Sequence, residues 1–302
     1  MKTTRDILVI DDEAVVAQGV VRICRDEGMS VDAADSATAG LERIDRCAYR
    51  LVLCDIMMAD LDGFQYLAEA ARRGSRLPVV MITGCATVEN AVRSLLCGAV
   101  DFIAKPFTAD ELLAVVHRGL NYGRLMEASG ADGVPTPATN CPSGYYRLGY
   151  VSWAATEPSG ISRVGVNDVF VKTIGGVRRV DLSPAGSELV QGNSCATIAS
   201  AHALAHNVMC PLSGRILEVN AQVIADPATL ERDPYADGWL YRVLPSDLEY
   251  NLRSLQPQEG SRGGSHSSGS GTTCPPLAGR PSSVTLGGRI DYALRVFSGA
   301  IR

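Results

Sequence analysis

Beyond Lys172 the chain has no lysine at all, the only others being Lys2 and Lys105. With no side-chain amine after that point, a group carried on a lysine amide is excluded from residues 173–302. Also missing is any run of about 18 uncharged apolar residues, the length a membrane-spanning helix requires. The N-terminal MKTTRD leads straight into a short β-like run without the apolar core of a signal peptide. A cytoplasmic protein with no membrane partner is therefore expected. The nine cysteines form no CxxC and no Cys/His ladder, so free thiols are expected and a zinc site is not. Basic charge is not in excess either. Residues 1–120 hold 13 Lys+Arg against 18 Asp+Glu, and the remainder 15 of each. No basic domain is left for a nucleic-acid partner, and no helix-turn-helix, ATPase P-loop or cyclase signature is present.

What is present begins with size: 302 residues at 46% apolar content suit two folded units. In the first third, short apolar runs alternate with helical patterns. The runs are Ile7–Ile10, Val31–Ala34, Leu51–Cys54, Pro78–Ile82 and Asp101–Ala104; helices are expected over 14–26, 37–46, 64–73, 88–96 and 109–120. Alternation of this kind predicts a five-stranded parallel sheet covered on both faces, a doubly wound α/β fold. Functional groups in such sheets gather at the carboxyl ends of the strands. Asp11 and Asp12 follow the first strand, Asp55 the third, Thr83 the fourth and Lys105 the fifth. Three carboxylates brought together repel one another unless a cation sits among them, and hard oxygen ligands suit Mg²⁺. Asp55 would then be nucleophile as well as ligand in a phosphoryl transfer, with Thr83 and Lys105 taking the other phosphoryl oxygens.

The motifs Ile10-Asp11-Asp12-Glu13, Leu53-Cys54-Asp55-Ile56-Met57-Met58 with Asp62-Gly63, Met81-Ile82-Thr83-Gly84 and Gly98 to Phe107 are in order and spacing. Residues 1–120 so resemble the receiver domain of two-component response regulators, which have a flavodoxin-like fold. The resemblance implies that Asp55 is the phosphoacceptor and that Asp11, Asp12, Asp55 and the Met57 backbone carbonyl bind Mg²⁺. It also implies catalytic roles for Thr83 and Lys105, a switch through Thr83 and Phe102, a cis Lys105-Pro106 bond, and a histidine kinase or histidine phosphotransfer protein as donor.

From Ser129 to Ser143 the composition is that of a linker. Short β-like runs follow: 150–153, 162–166, 169–172, 187–190, 196–198, 216–219 and 239–243, bounded by Gly and Pro. A small β barrel or sandwich is expected. Trp153, Arg163 to Asp168, Leu182-Ser183-Pro184-Ala185-Gly186, Val190-Gln191-Gly192, Cys210 to Asn220 and Asp233 to Leu240 make this region resemble the glycine cleavage system H protein, a lipoyl-carrying, mostly-β hammerhead. In that family a lysine eight residues before the turn proline receives lipoate. Counting back from Pro211 reaches Ala203, so the site is lost and no lipoate is expected. His202 and His206 flank this position; histidines at i and i+4 hold Zn²⁺ when on a helix, but on an extended strand they lie ~13 Å apart, so they are read as surface or turn residues in preference to a metal site.

The expected organisation is a receiver over 1–124, a linker over 125–142, an H-protein-like domain over 143–255, a disordered Gly/Ser/Pro-rich stretch over 256–283 and a short amphipathic segment over 284–302. In the last, Ile290, Ala293, Leu294 and Phe297 share a helical face. These features together predict a phosphorylation-controlled signalling protein that is not an enzyme in any other sense, acting through an unknown protein partner of its output domain. A carrier or accessory role beside the glycine cleavage system and a phosphate sink are the alternatives. A phosphorylation-dependent dimer is left open.

Overall fold

The computed structural model describes residues 4–85, 87–128 and 139–258. The first domain runs β1 (Thr4–Ile10), α1 (Ala14–Asp26), β2 (Val31–Ala34), α2 (Ala37–Arg46), β3 (Ala48–Asp55), α3 (Gly63–Arg72), β4 (Val79–Thr83), α4 (Val88–Leu96), β5 (Asp101–Ala104) and α5 (Ala109–Glu127). All strands are parallel, in the order β2-β1-β3-β4-β5. The strands read as unbroken apolar runs because both faces are covered. Ile7, Val9, Leu51, Leu53, Val80 and Ile82 enter one core, while Leu8, Ile10, Val52, Cys54, Val79 and Met81 enter the other. Capping boxes start two of the helices, Asp62 with Gln65 on α3 and Thr108 with Glu111 on α5. Gly63 opens α3 so close to β3 that a Cβ there would lie 2.4 Å from the Asp55 carbonyl oxygen, and this fixes the helix against the strand end that carries Asp55.

The second domain comprises β6 (Tyr146–Leu148), β7 (Ser152–Thr156), β8 (Ser162–Val166), α6 (Asp168–Ile174), β9 (Val177–Leu182), β10 (Glu188–Leu189), β11 (Ser194–Ser200), β12 (Ala205–Met209), β13 (Gly214–Val219), α7 (Ala221–Ala225), α8 (Thr229–Arg232), β14 (Trp239–Pro245), α9 (Leu248–Leu252) and β15 (Gln256–Pro257). A seven-stranded antiparallel sheet, β10-β13-β14-β8-β7-β6-β15, accompanies a three-stranded one, β12-β11-β9. Residues 169–172, expected as a strand, are helical. Phe170 and Ile174 are an i, i+4 pair buried on one face, and Gly175 at φ 81° ends the turn in the left-handed conformation.

The domains are not beads on a string. Val92 and Leu95 of α4 belong to the same apolar core as Leu148, Val151, Phe170 and Val171 of the second domain, and Asn121 Nδ2 on α5 donates to the Thr173 carbonyl at 2.9 Å. α5 continues to Glu127, past the linker start expected at 125; residues 129–138 lie outside the described residues. Of the stretch 256–283 expected to be disordered, Gln256–Pro257 form β15, pairing with β6, and the part from 259 lies outside the described residues, as does the segment 284–302. Among the described residues no helix is long and apolar enough to cross a membrane. Cys24, Cys47, Cys54, Cys85, Cys141, Cys195 and Cys210 are free thiols, whereas Cys97 is disulfide-bonded, against expectation.

Candidate phosphoacceptor site

Parallel strands deliver their carboxyl ends to one edge of the sheet, and that edge gathers the acidic residues. Asp11 and Asp55 are 2% exposed, whereas Asp12 is open to solvent. One carboxylate oxygen from each lies within 4.8 Å of the other two. Lys105, just past β5, points into this group, its Nζ 2.9 Å from Asp11 Oδ2, 2.9 Å from Asp55 Oδ2 and 3.1 Å from Glu13 Oε1. Burial disfavours the Lys105 ammonium, but hydrogen bonds to Asp11, Asp55 and Glu13 outweigh it and hold its pKa above the ordinary lysine value. Asp11 moves the other way from a usual ion-paired acid: burial raises its pKa despite the lysine.

The remaining contacts fix orientation. Met57 N donates to Asp55 Oδ1 at 3.2 Å, Glu13 N to Asp11 Oδ1 at 2.9 Å, and Ala59 N to Asp12 Oδ2 at 3.1 Å. Thr83, fully buried, accepts from the Cys85 amide at 3.1 Å. Lys105 N donates to the Thr83 carbonyl at 2.7 Å, and the Lys105-Pro106 peptide is cis. Phe102 is half-buried on β5 and borders a cleft between the domains. One ammonium faces three clustered carboxylates and the nearby Glu13. Asp11 Oδ2, buried and met by the Lys105 ammonium at 2.9 Å, keeps a further lone pair to offer. A hard divalent cation fits that donor set.

In the second domain Ala203 sits exposed at the tip of the β11–β12 hairpin with φ 62°, and His202 beside it is exposed as expected. His206 is not a surface residue. It is 1% exposed on β12, paired across the hairpin with Ile198, and meets Arg118 of the first domain at 2.6 Å from its Nδ1. Strand pleating turns its side chain toward α5, which sequence spacing could not show without knowing that α5 lies there. Glu13, Asp101, Arg118 and His206 are the participants missed from sequence. Only Glu13 had a signal, being the third acid of the run that starts at Asp11.

A doubly wound sheet with an acidic cluster and a lysine at its carboxyl edge is the receiver class of α/β domain. Residues 7–117 match the family described as the response regulator receiver domain, and residues 145–262 match the glycine cleavage H-protein; the chain carries one domain of each. The nitrogen assimilation regulatory protein NtrX of Azorhizobium caulinodans is 39% identical over 122 residues, 40% of this chain and 27% of that protein. The transcriptional regulatory protein ZraR of Escherichia coli O157:H7 is 34% identical over 123 residues, 41% of this chain and 28% of that protein. The chain thus spans under a third of the length of these two relatives. A glycine cleavage system H protein from Mycobacterium marinum is 34% identical over 35% of this chain and 87% of its own, with a TM-score of 0.33.

Proposed function

We propose that the chain is a two-component response regulator that accepts a phosphoryl group on Asp55 and signals through its H-protein-like domain by protein–protein contact. The observation that carries this reading is the convergence of Lys105 on Asp11 and Asp55 at 2.9 Å each. In the transfer, an Asp55 carboxylate oxygen attacks the phosphorus held on a histidine of a kinase or phosphotransfer protein. The new O–P bond forms as the P–N bond breaks, and the freed imidazole nitrogen takes up a proton. On this reading Lys105 and Thr83 take up phosphoryl oxygens while the Asp55 carboxylate attacks in line. Mg²⁺, held by Asp11, Asp12, Asp55 and the Met57 carbonyl, would neutralise charge on the phosphoryl oxygens. No lipoate is carried, because Ala203 offers no amine. On this reading the chain is a signalling protein whose only reaction is at its own Asp55.

Acetyl phosphate with Mg²⁺ is expected to add one phosphoryl mass to the wild-type chain and none to Asp55→Ala. Labelling that survives the substitution, or a wild type that takes no label, defeats the assignment. The match of residues 145–262 to the H protein favours one other reading, an accessory of lipoyl metabolism. Intact mass after co-expression with a lipoate ligase separates the two, since the hairpin tip holds Ala203 and the one lysine of the second domain, Lys172, is ion-paired with Asp168 on α6.

A further inference from the structure

Arg118 on α5 is 2% exposed and serves three elements at once. Its Nε and Nη2 reach Asp101 Oδ2 at 2.7 and 2.5 Å. Its Nη1 lies 2.6 Å from His206 Nδ1, and its Cζ is 5.4 Å from the ring centre of Phe170 on α6. A guanidinium only donates, so His206 Nδ1 accepts and the ring proton resides on Nε2. One receiver arginine therefore holds both β12 and α6 of the second domain, and Asp101 orients it. Asp101 opens β5, and Lys105, which contacts Asp55, directly follows that strand. A strand of ~13 Å thus has the ion pair of the phosphoacceptor at one end and the carboxylate that aims Arg118 at the other.

The surface around this contact is close-fitted in places and open in others. Gly192 and Gly149 approach α4 so tightly that a Cβ would lie 2.9 Å from Val92 and 3.1 Å from Leu95, respectively. Between such points run two clefts of about 320 and 380 Å³. One is bordered by Phe102, Arg118, Asn193 and Asn207, the other by Val88, Arg93, Val190 and Tyr250. An interface interrupted in this way opens at less cost than a continuously packed core. The docked arrangement is also matched to a free carboxylate, since Lys105 holds Asp55 Oδ2 directly. An acyl phosphate there moves the negative charge outward, and Lys105 must follow it, pulling on the end of β5.

Resting on the assignment of Asp55 as phosphoacceptor, we propose that Asp101, Arg118 and His206 form a latch through which the second domain reads that residue. Phosphorylation shifts β5, loosens the hold of Arg118 on β12 and α6, and frees the β11–β12 hairpin from the receiver. The hairpin that presents lipoate in the H-protein family is here held as a signalling element. By linkage, whatever opens the latch favours phosphorylation.

The test is hydrogen exchange on the full chain with Mg²⁺, with and without acetyl phosphate. Exchange at residues 168–174 and 205–209 is expected to rise by roughly tenfold in the phosphorylated protein and to stay unchanged in Asp55→Ala. Labelled protein with unaltered exchange overturns the latch and leaves the phosphoacceptor standing; absence of label overturns both. Arg118→Met is expected to raise the phosphorylated-to-unphosphorylated ratio reached at equilibrium with acetyl phosphate by about fivefold or more. Asn121→Ala, which removes the bond to Thr173 without stranding a buried charge, is expected to act in the same direction more weakly. It serves where the arginine variant does not fold. An equilibrium extent of labelling no greater than that of the wild type in a folded variant refutes the coupling.

Discussion

His206 shows how a residue takes its character from what is folded against it. Burial lowers its pKa to about 3, with Arg118 and then His117 adding repulsion against a second charge. In the unfolded chain a histidine titrates near 6.5. Above that value His206 is neutral in both states and carries no pH-dependent penalty. As pH falls below 6.5 the unfolded chain binds a proton that the folded chain refuses, so stability declines by at most about 1.4 kcal/mol per pH unit from this one group. The decline ends near pH 3, where the folded form is protonated too. Thermal unfolding of the full chain at pH 6.5 and pH 5 is expected to show this loss, and His206→Leu to reduce it. His117, lowered mainly by burial, contributes a slope of the same sign that persists in the variant. An identical pH slope in both proteins would mean that His206 is solvated in solution.

At the scale of elements, the hairpin joining β11 and β12 carries its strain at Ala203. Ser200 N donates to the Leu204 carbonyl and Ala203 N to that of Ser200, closing a turn that needs the left-handed conformation at Ala203. A side chain with Cβ is disfavoured there. Ala203→Gly is expected to stabilise the protein by about 0.5–1 kcal/mol, measured by urea unfolding; a destabilised variant would show that the turn is otherwise held in solution. Elements whose pattern is set by local burial were legible in the sequence. The five parallel strands, their helices and the acidic edge follow from unbroken apolar runs ending in Asp11, Asp55, Thr83 and Lys105. The helix at Asp168–Ile174 was hidden, because Val169-Phe170-Val171 reads as a strand by propensity and only docking on α5 selects its helical face. Arg118 and His206 were hidden for a related reason. Their sequence separation of 88 residues is bridged by domain docking, which leaves no periodic signature.

For the whole molecule, the consequence of docking is shared stability. Val92 and Leu95, 6% and 2% exposed, lie in a core whose other members come from the second domain. The tilted rings of Tyr122, Tyr150 and Phe170 pack across the boundary, with centroids 4.9 and 6.0 Å apart. Arg118 and Asp101 are a buried ion pair whose surroundings include both domains, so separating the domains brings water to an arginine that is now nearly inaccessible. Unfolding either domain therefore strips apolar and polar partners from the other, which couples the two transitions. Calorimetry of the full chain is expected to give one cooperative transition with calorimetric and van't Hoff enthalpies in agreement. Arg118→Met should separate it into two, because a buried Asp101 carboxylate left unpaired costs about 3–5 kcal/mol and undocking relieves that penalty. Two resolved transitions in the wild type would show that the domains melt independently, and the second domain could then respond to Asp55 only through the linker.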